Sequence, residues 1–290
     1  MKSFSFLFLI FVLIANCFYA QNNLSIHTND TLLISSTSKI PTIDGFDNDD
    51  CWKNTKWDPI DQVWMNYGDT LSNSDFSGKY KITWSPETNL LYFIAKTTDD
   101  VLVDGYVFNP DPKIADNYYN FDILEVFIDE DVSGGVHVFN GKGDIGKEWG
   151  TNSRNAFSHH IVINIPKDGE TTKEVNICDI DGNSWDDYII SNYKHQFNDF
   201  IARRNGNEIT WEFAIAVYTD KYDPQNPEAA RVKLANNKKM SISFAYCDND
   251  NLNENPPARD NFIGSVYVEK EQYNDHWKNA DGYRRVKLVK

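Results

Sequence analysis

The residues of this chain able to do chemistry are carboxylates and aromatic rings. Asp129, Glu130 and Asp131 stand together and are followed by Ser133, Gly134 and Gly135. That run is an oxygen-rich turn, and hard oxygen ligands suit Ca²⁺, although the spacing is not that of an EF-hand loop. Asp248 and Asp250 form a second pair of the same kind. Asp129 and Asp131 are therefore one candidate ligand set for structural calcium, and Asp248 and Asp250 a second. Aromatic residues make up 14% of the chain, with 8 Trp and 15 Tyr. Most belong in a core, where Trp52, Trp84 and Trp211 are expected, and the rest offer flat apolar faces for stacking.

The usual catalytic signatures are missing: no G-x-S-x-G elbow, phosphate-binding loop, H-E-x-x-H pair or dinucleotide fingerprint. Counting carboxylates does not exclude a glycosidase pair, which is defined by its separation across a cleft. Cys51, Cys178 and Cys247 show no C-x-x-C spacing. Three is an odd number, so they form at most one internal disulfide and read as structural or incidental. The net charge of −15 repels nucleic acid and anionic lipid and attracts divalent cations.

The elements that must position these residues read as strands. Tyr80, Ile82 and Trp84 alternate with Lys81 and Thr83, and Leu90 to Ala95 is an apolar run of strand length. Leu124, Val126 and Ile128 fall on one face, with Ile123, Glu125 and Phe127 on the other. Ile161, Ile163 and Ile165 alternate with His160, Val162 and Asn164. Trp211, Phe213, Ile215 and Val217 share a face, as do Met240, Ile242, Phe244 and Tyr246, and Val286 and Leu288 close the set. A single helical turn near Pro227 to Leu234 is the only helix signal. Many short strands between Asn, Asp, Gly and Pro clusters predict an all-β fold, a two-sheet antiparallel β-sandwich of immunoglobulin or jelly-roll type with long loops. Gly141 to Arg154 and Asn249 to Arg259 read as such loops, where binding residues tend to sit.

Residues 1–20 carry the pattern of an export signal: Lys2, an apolar run from Phe4 to Ala15, and Ala20 before the expected cut at Gln21. Cys17 opens a rival reading as a lipid anchor, but Asn16 precedes it where a smaller residue is usual. No later stretch approaches the roughly 20 apolar residues of a membrane span. The expected product is a secreted, periplasmic or surface-held monomer. Residues 21–39 read as a loose polar lead and 40–290 as one domain.

Several segments together resemble carbohydrate-binding modules of family 9. They are I-D-G-F-D-N-D-D-C-W (Ile43–Trp52), S-D-F-S-G-K-Y-K-I-T-W (Ser74–Trp84), L-L-Y-F-I-A-K-T-T-D-D (Leu90–Asp100) and D-I-L-E-V-F-I-D-E-D (Asp122–Asp131). N-A-F-S-H-H-I (Asn155–Ile161), W-E-F-A-I (Trp211–Ile215), A-Y-C-D-N-D (Ala245–Asp250), N-F-I-G-S (Asn261–Ser265) and W-K-N-A-D-G-Y (Trp277–Tyr283) continue in family order. The resemblance implies a β-sandwich of the same broad group as haem-binding DOMON-type secreted domains, with structural calcium. It also implies a poly- or oligosaccharide ligand whose ring is clamped between two aromatics, here Tyr119 and Trp277. Glu125, Ser158, His160 and Asn274 then supply the polar edge contacts. Tyr119 stands where sugar-binding members carry tryptophan, and Ser158 where they carry a basic residue. Aromatic faces desolvate the C–H face of a pyranose, and fixed acceptors and donors meet its hydroxyls. Three other functions remain open: a haem domain using His160 with Met65 or Met240, a glycoside-active enzyme, and a scaffold whose sugar site has decayed.

Overall fold

The computed structural model describes residues 30–104, 106, 118–137, 156–182, 188–251, 253 and 258–290. The export segment and the loop expected at Gly141 to Arg154 lie outside the described residues. Fifteen strands occur among the described ones. The first five are β1 (Leu32–Ser35), β2 (Asp58–Ile60), β3 (Gln62–Met65), β4 (Phe76–Ser85) and β5 (Leu90–Asp99). Then come β6 (Ile123–Asp129), β7 (Phe157–Ile163), β8 (Thr171–Thr172), β9 (Val175–Gly182) and β10 (Tyr188–Asn192). The last are β11 (Phe197–Asn205), β12 (Glu208–Ile215), β13 (Lys239–Asp248), β14 (Asn261–Gly264) and β15 (Arg284–Val289).

They form two sheets. A six-stranded sheet runs β2-β4-β5-β12-β11-β8, and a nine-stranded sheet runs β1-β15-β13-β6-β7-β9-β10, with β14 and β3 added beside β13. Pairing is antiparallel except that β1 joins β15 in parallel. Leu32–Ser35 thus lies in a sheet, although the sequence reads as a loose lead there. Its four residues are too few for a period to show. A one-turn helix, α1 (Asp50–Lys53), places Trp52 against the six-stranded sheet. The turn signal near Pro227 becomes a 3₁₀ turn at Pro227–Ala230.

The sheets meet face to face. Tyr80 stacks on Phe244 with ring centres 4.0 Å apart and Phe76 on Tyr246 at 4.8 Å, one ring from each sheet in both pairs. Trp52, Trp84, Trp211, Phe213, Ile242 and Leu124 join this core. Each fully buried side chain of this size stabilises by about 1.5–3 kcal/mol.

The nine-stranded sheet is buried on its other face too. A second cluster of Trp64, Tyr118, Ile123, Phe127, Cys247, Phe262, Val266 and Tyr283 covers it. All seven residues of β6 are consequently buried. Gly264, from the N-F-I-G-S segment, is required by this layer. A Cβ there would come 1.8 Å from Trp64 Cζ2, so the indole rests directly on the backbone.

Candidate functional site

The site is built on that second face. Glu125 projects from the middle of β6, flanked across the ladder by Ala245 of β13 and His160 of β7. Alternation explains why: Leu124 and Val126 enter the sandwich core, so Glu125 must face the other way. His160 sits beside it for the same reason, since its neighbours His159 and Ile161 turn toward the sandwich core.

Hydrogen bonds fix the floor. His160 Nδ1 donates to Cys178 O at 3.0 Å, which leaves Nε2 facing Glu125 Oε1 at 3.5 Å. Cys247 Sγ donates to the same Oε1 at 3.3 Å. Glu125 Oε2 has no hydrogen-bond partner among the described residues, although the side chain is only 1% exposed. A buried carboxylate oxygen left unpaired is costly, so it marks a place prepared for a donor.

Aromatic rings and one guanidinium form the walls. Tyr118 lies 4.9 Å from the His160 ring and 5.9 Å from Tyr119, and Trp277 lies edge-on to His160 at 6.4 Å. Tyr119 is 37% exposed and Trp277 half-buried. Arg259 ties the walls together. Its Nη2 donates to Asn274 Oδ1 at 2.6 Å and its Nη1 to Cys247 Sγ at 3.2 Å. The guanidinium also lies 5.3 Å from the Tyr119 ring centre and 4.4 Å from that of Phe262. Asn274 thus keeps its amide N–H donors outside this pairing.

Tyr119, Glu125, His160, Asn274 and Trp277 are therefore gathered in one constellation. Ser158 has a different place. It is fully buried, and its hydroxyl donates to the backbone carbonyl of Trp277. It anchors the Trp277 loop to β7 instead of lining the site. The positive charge comes from Arg259, which sequence reasoning missed because it stands in a stretch that reads as loop. Tyr118, beside Tyr119 in the chain and able to serve in its place by residue type, is buried against His160.

The two acidic candidate sets lie apart. Asp129 and Asp248 lie toward opposite ends of the β6–β13 ladder, where Asp129 pairs with Ser241 and Ile123 with Cys247. Asp129 Oδ1 accepts the amides of Asp131 and Val132 at 3.1 and 2.9 Å, and Oδ2 that of Gly134 at 2.9 Å. Asp131 accepts from the Ser133 amide at 3.0 Å, and Glu130 pairs with Lys238 at 2.6 Å. These carboxylates organise their own turn. Asp248 and Asp250, by contrast, join Asp99 in a group whose oxygen atoms lie within 4.8 Å of one another, and Asp250 also joins Asp75 and Asp100. Asp99 and Asp248 are fully buried, and Asp248 Oδ1 has no hydrogen-bond partner among the described residues.

The charges pressing on this group are those of other carboxylates. Burial, then Asp122 and Asp248, push Asp99 up to about 10. Burial pushes Asp122 up to about 8, against the pull of the Val103 and Asn249 amides. Burial and neighbouring Asp residues raise Asp250 to about 6. Carboxylates crowded in this way must hold protons or a cation. The all-oxygen donor set and the orphan Asp248 Oδ1 fit a hard divalent ion such as Ca²⁺.

Other chemistries fit less well. Met240 lies in the sandwich core and His160 on the opposite face of the same sheet, so they cannot share a haem. Met65 Sδ is met by Arg259 Nη2 at 3.8 Å. Cys51, Cys178 and Cys247 are free thiols, and burial pushes all three above the ordinary thiol range. Among the described residues no helix is long and apolar enough to cross a membrane.

The second-face constellation on a two-sheet sandwich can be set against known proteins. The model of the carbohydrate family 9 binding domain-like family matches residues 43–290. The chain belongs to this family. Two solved structures, both of a family 9 carbohydrate-binding module from Caldicellulosiruptor kristjanssonii, share its fold. The one in complex with glucose has a TM-score of 0.54 at 17% identity, covering 89% of this chain and 95% of that one. The one in complex with cellotriose has a TM-score of 0.53 at 18% identity, covering 90% and 94%. No curated protein matches the chain. Family membership accounts for the β-sandwich and for the order of the nine sequence segments along it.

Proposed function

We propose that this protein binds a poly- or oligosaccharide without transforming it, holding one sugar unit between Tyr119 and Trp277. The observation that carries this reading is Glu125 Oε2, a buried acceptor without a partner among the described residues, beside the exposed Tyr119, the half-buried Trp277 and the Arg259–Asn274 pair. An unpaired carboxylate oxygen accepts from a sugar hydroxyl, and a site built for a hydroxyl rejects ligands that lack one. Asn274 and Arg259 N–H groups serve hydroxyl oxygens at the ring edge, and His160 orients Glu125. Family membership and two neighbours solved with glucose and cellotriose support the ligand class.

We propose further that the chain is exported with a cut near Ala20, acts outside the cytoplasm, and holds Ca²⁺ at Asp99, Asp248 and Asp250. Mass spectrometry of the protein recovered from its host tests the cut: a start at Gln21 supports it, and a diacylglyceryl group on Cys17 replaces it with the anchored form.

The experiment for the site is titration calorimetry of the mature chain in Ca²⁺ against glucose, cellotriose and a panel of other oligosaccharides. Binding is expected for at least one sugar. Trp277→Ala should weaken it by roughly 2 kcal/mol, about thirtyfold, while circular dichroism stays unchanged. Absence of binding across the panel would remove the carbohydrate reading.

A further inference from the structure

The acidic cluster and the sugar site share a residue. Asn249 stands between Asp248 and Asp250 in the chain and is fully buried. Its amide donates to Asp122 Oδ1 at 3.0 Å, and its Nδ2 donates to the carbonyl of Asn120 at 2.7 Å. Asn120 ends the 3₁₀ turn Tyr118–Asn120, which carries Tyr118 and Tyr119. Asn120 Oδ1 accepts the backbone amide of Arg259 at 3.3 Å. The tyrosine turn thus hangs directly on Asn249, which stands between two acidic residues of the cluster, and Arg259 hangs on it through Asn120.

The cluster is under stress from its own charge. Asp99, Asp248 and Asp250 bring three carboxylates within 4.8 Å, and Asp248 Oδ1 lacks a partner among the described residues. Tyr246 Oη donates to Asp99 Oδ2 at 3.1 Å and Asn261 Nδ2 to Asp248 Oδ2 at 2.9 Å, which neutral donors do not balance. Ionised together, carboxylates this close repel strongly, the more so at the buried Asp99 and Asp248. Without a counter-ion, the 248–250 segment must take up protons or move away from Asp99. Moving it shifts Asn249, and with Asn249 go its bonds to Asn120 and Asp122. A divalent cation removes that choice by drawing the three carboxylates together.

We propose that a cation at Asp99, Asp248 and Asp250 sets the geometry of the sugar site through Asn249, so that cation and sugar binding are thermodynamically coupled. This rests on the carbohydrate reading given above and adds its regulation. Coupling of this kind commonly changes affinity by roughly 5- to 150-fold, and it is reciprocal: bound sugar tightens the cation by the same factor. The ion acts at a distance, by fixing the turn that presents Tyr119, and touches no sugar.

The test uses the mature chain after chelation. Ca²⁺ is titrated in by calorimetry without sugar, and amide hydrogen exchange of residues 118–120, 249 and 259 is compared with and without Ca²⁺. Sugar affinity is then measured in Ca²⁺ and in EDTA, for the parent and for Asn249→Ala. Ca²⁺ should bind, slow exchange at these amides, and tighten sugar at least about fivefold. In Asn249→Ala both ligands should still bind, with the ratio of the two sugar affinities falling toward one. Failure of Ca²⁺ to bind overturns the proposal. So does Ca²⁺ that binds while exchange at 118–120 and sugar affinity stay the same. Absence of sugar binding in both buffers overturns the carbohydrate reading and the coupling with it. That failure is told apart from the others by Ca²⁺ binding and slowed exchange in the sugar-free arm. Should Asn249→Ala fail to fold, the parent's exchange and its sugar affinities in Ca²⁺ and in EDTA decide the matter alone.

Discussion

Arg259 shows how much one side chain can hold. It meets Asn274, Cys247, Tyr119 and Phe262 at once, with distances of 2.6 and 3.2 Å for the two side-chain hydrogen bonds. A planar guanidinium can reach partners in two directions while stacking on a ring, and an ammonium cannot. Arg259→Lys is therefore expected to lower sugar affinity about tenfold or more, and calorimetry checks it. Glu125→Gln tests the floor. It keeps the shape of the side chain but turns one oxygen into an N–H donor, so a hydroxyl that donates to Glu125 loses its acceptor. A loss of about 1.5–3 kcal/mol is expected, and sugar affinity unchanged in Glu125→Gln would show that the carboxylate does not meet the ligand.

At the scale of elements, the faces of β6, β7, β12 and β13 follow from alternation. Leu124, Ile161, Phe213 and Phe244 point into the sandwich as period two requires. Ser158 illustrates what alternation leaves out. It lies on the outward face of β7, yet its bond to the Trp277 carbonyl makes it a tether. Ser158→Ala should loosen the Trp277 loop and raise hydrogen exchange across 274–279, with a stability loss of about 1 kcal/mol. Glu212 is a second case. It leaves the core side of β12 only to be covered by Trp52, whose Nε1 donates to it at 2.9 Å, and by the amides of Gly45 and Asp44 at 2.9 and 3.0 Å. Burial, helped by the charge of Asp44, pushes its carboxyl up to about 7 from an ordinary 4.5, while those three hydrogen bonds pull the other way. The folded state therefore keeps a proton that the unfolded chain releases between pH 4.5 and 7. Stability should fall as pH rises through that window, and Glu212→Gln, which stays neutral, should flatten the slope. Calorimetric melting from pH 4.5 to 8 in saturating Ca²⁺ measures both.

Over the whole molecule, the acid excess bears on the proposed cation. The net charge of −15 is spread over the chain, but Asp99, Asp122 and Asp248 are buried, with Asp250 exposed beside them. Ca²⁺ at a hundred times its dissociation constant should stabilise by about 2.7 kcal/mol, raising Tm by roughly 5–10 °C at pH 7.5. The rise should shrink at pH 5, because Asp250, raised to about 6, is ionised at pH 7.5 but at pH 5 holds a proton that the ion must displace. Scanning calorimetry with Ca²⁺ and with EDTA at the two pH values checks this, and equal melting in all four conditions would exclude a stabilising ion.

The sequence by itself determined the fold class, the strand faces, and most of the residues that meet around Glu125, because period two and short ordered motifs are local properties of the chain. The closeness of Asp248 and Asp250 was legible too, since they stand two residues apart in the chain. Only the tertiary structure brought Arg259 to Asn274 and Tyr119, turned Ser158 into a tether, and separated Asp129 from Asp248 toward opposite ends of one ladder. It also buried the second face of the nine-stranded sheet and drew β1 into parallel pairing with β15. The physical reason is shared. Each of these facts depends on which distant segments lie over a given strand, and loop packing and long-range pairing leave no periodic trace in the residues that take part in them.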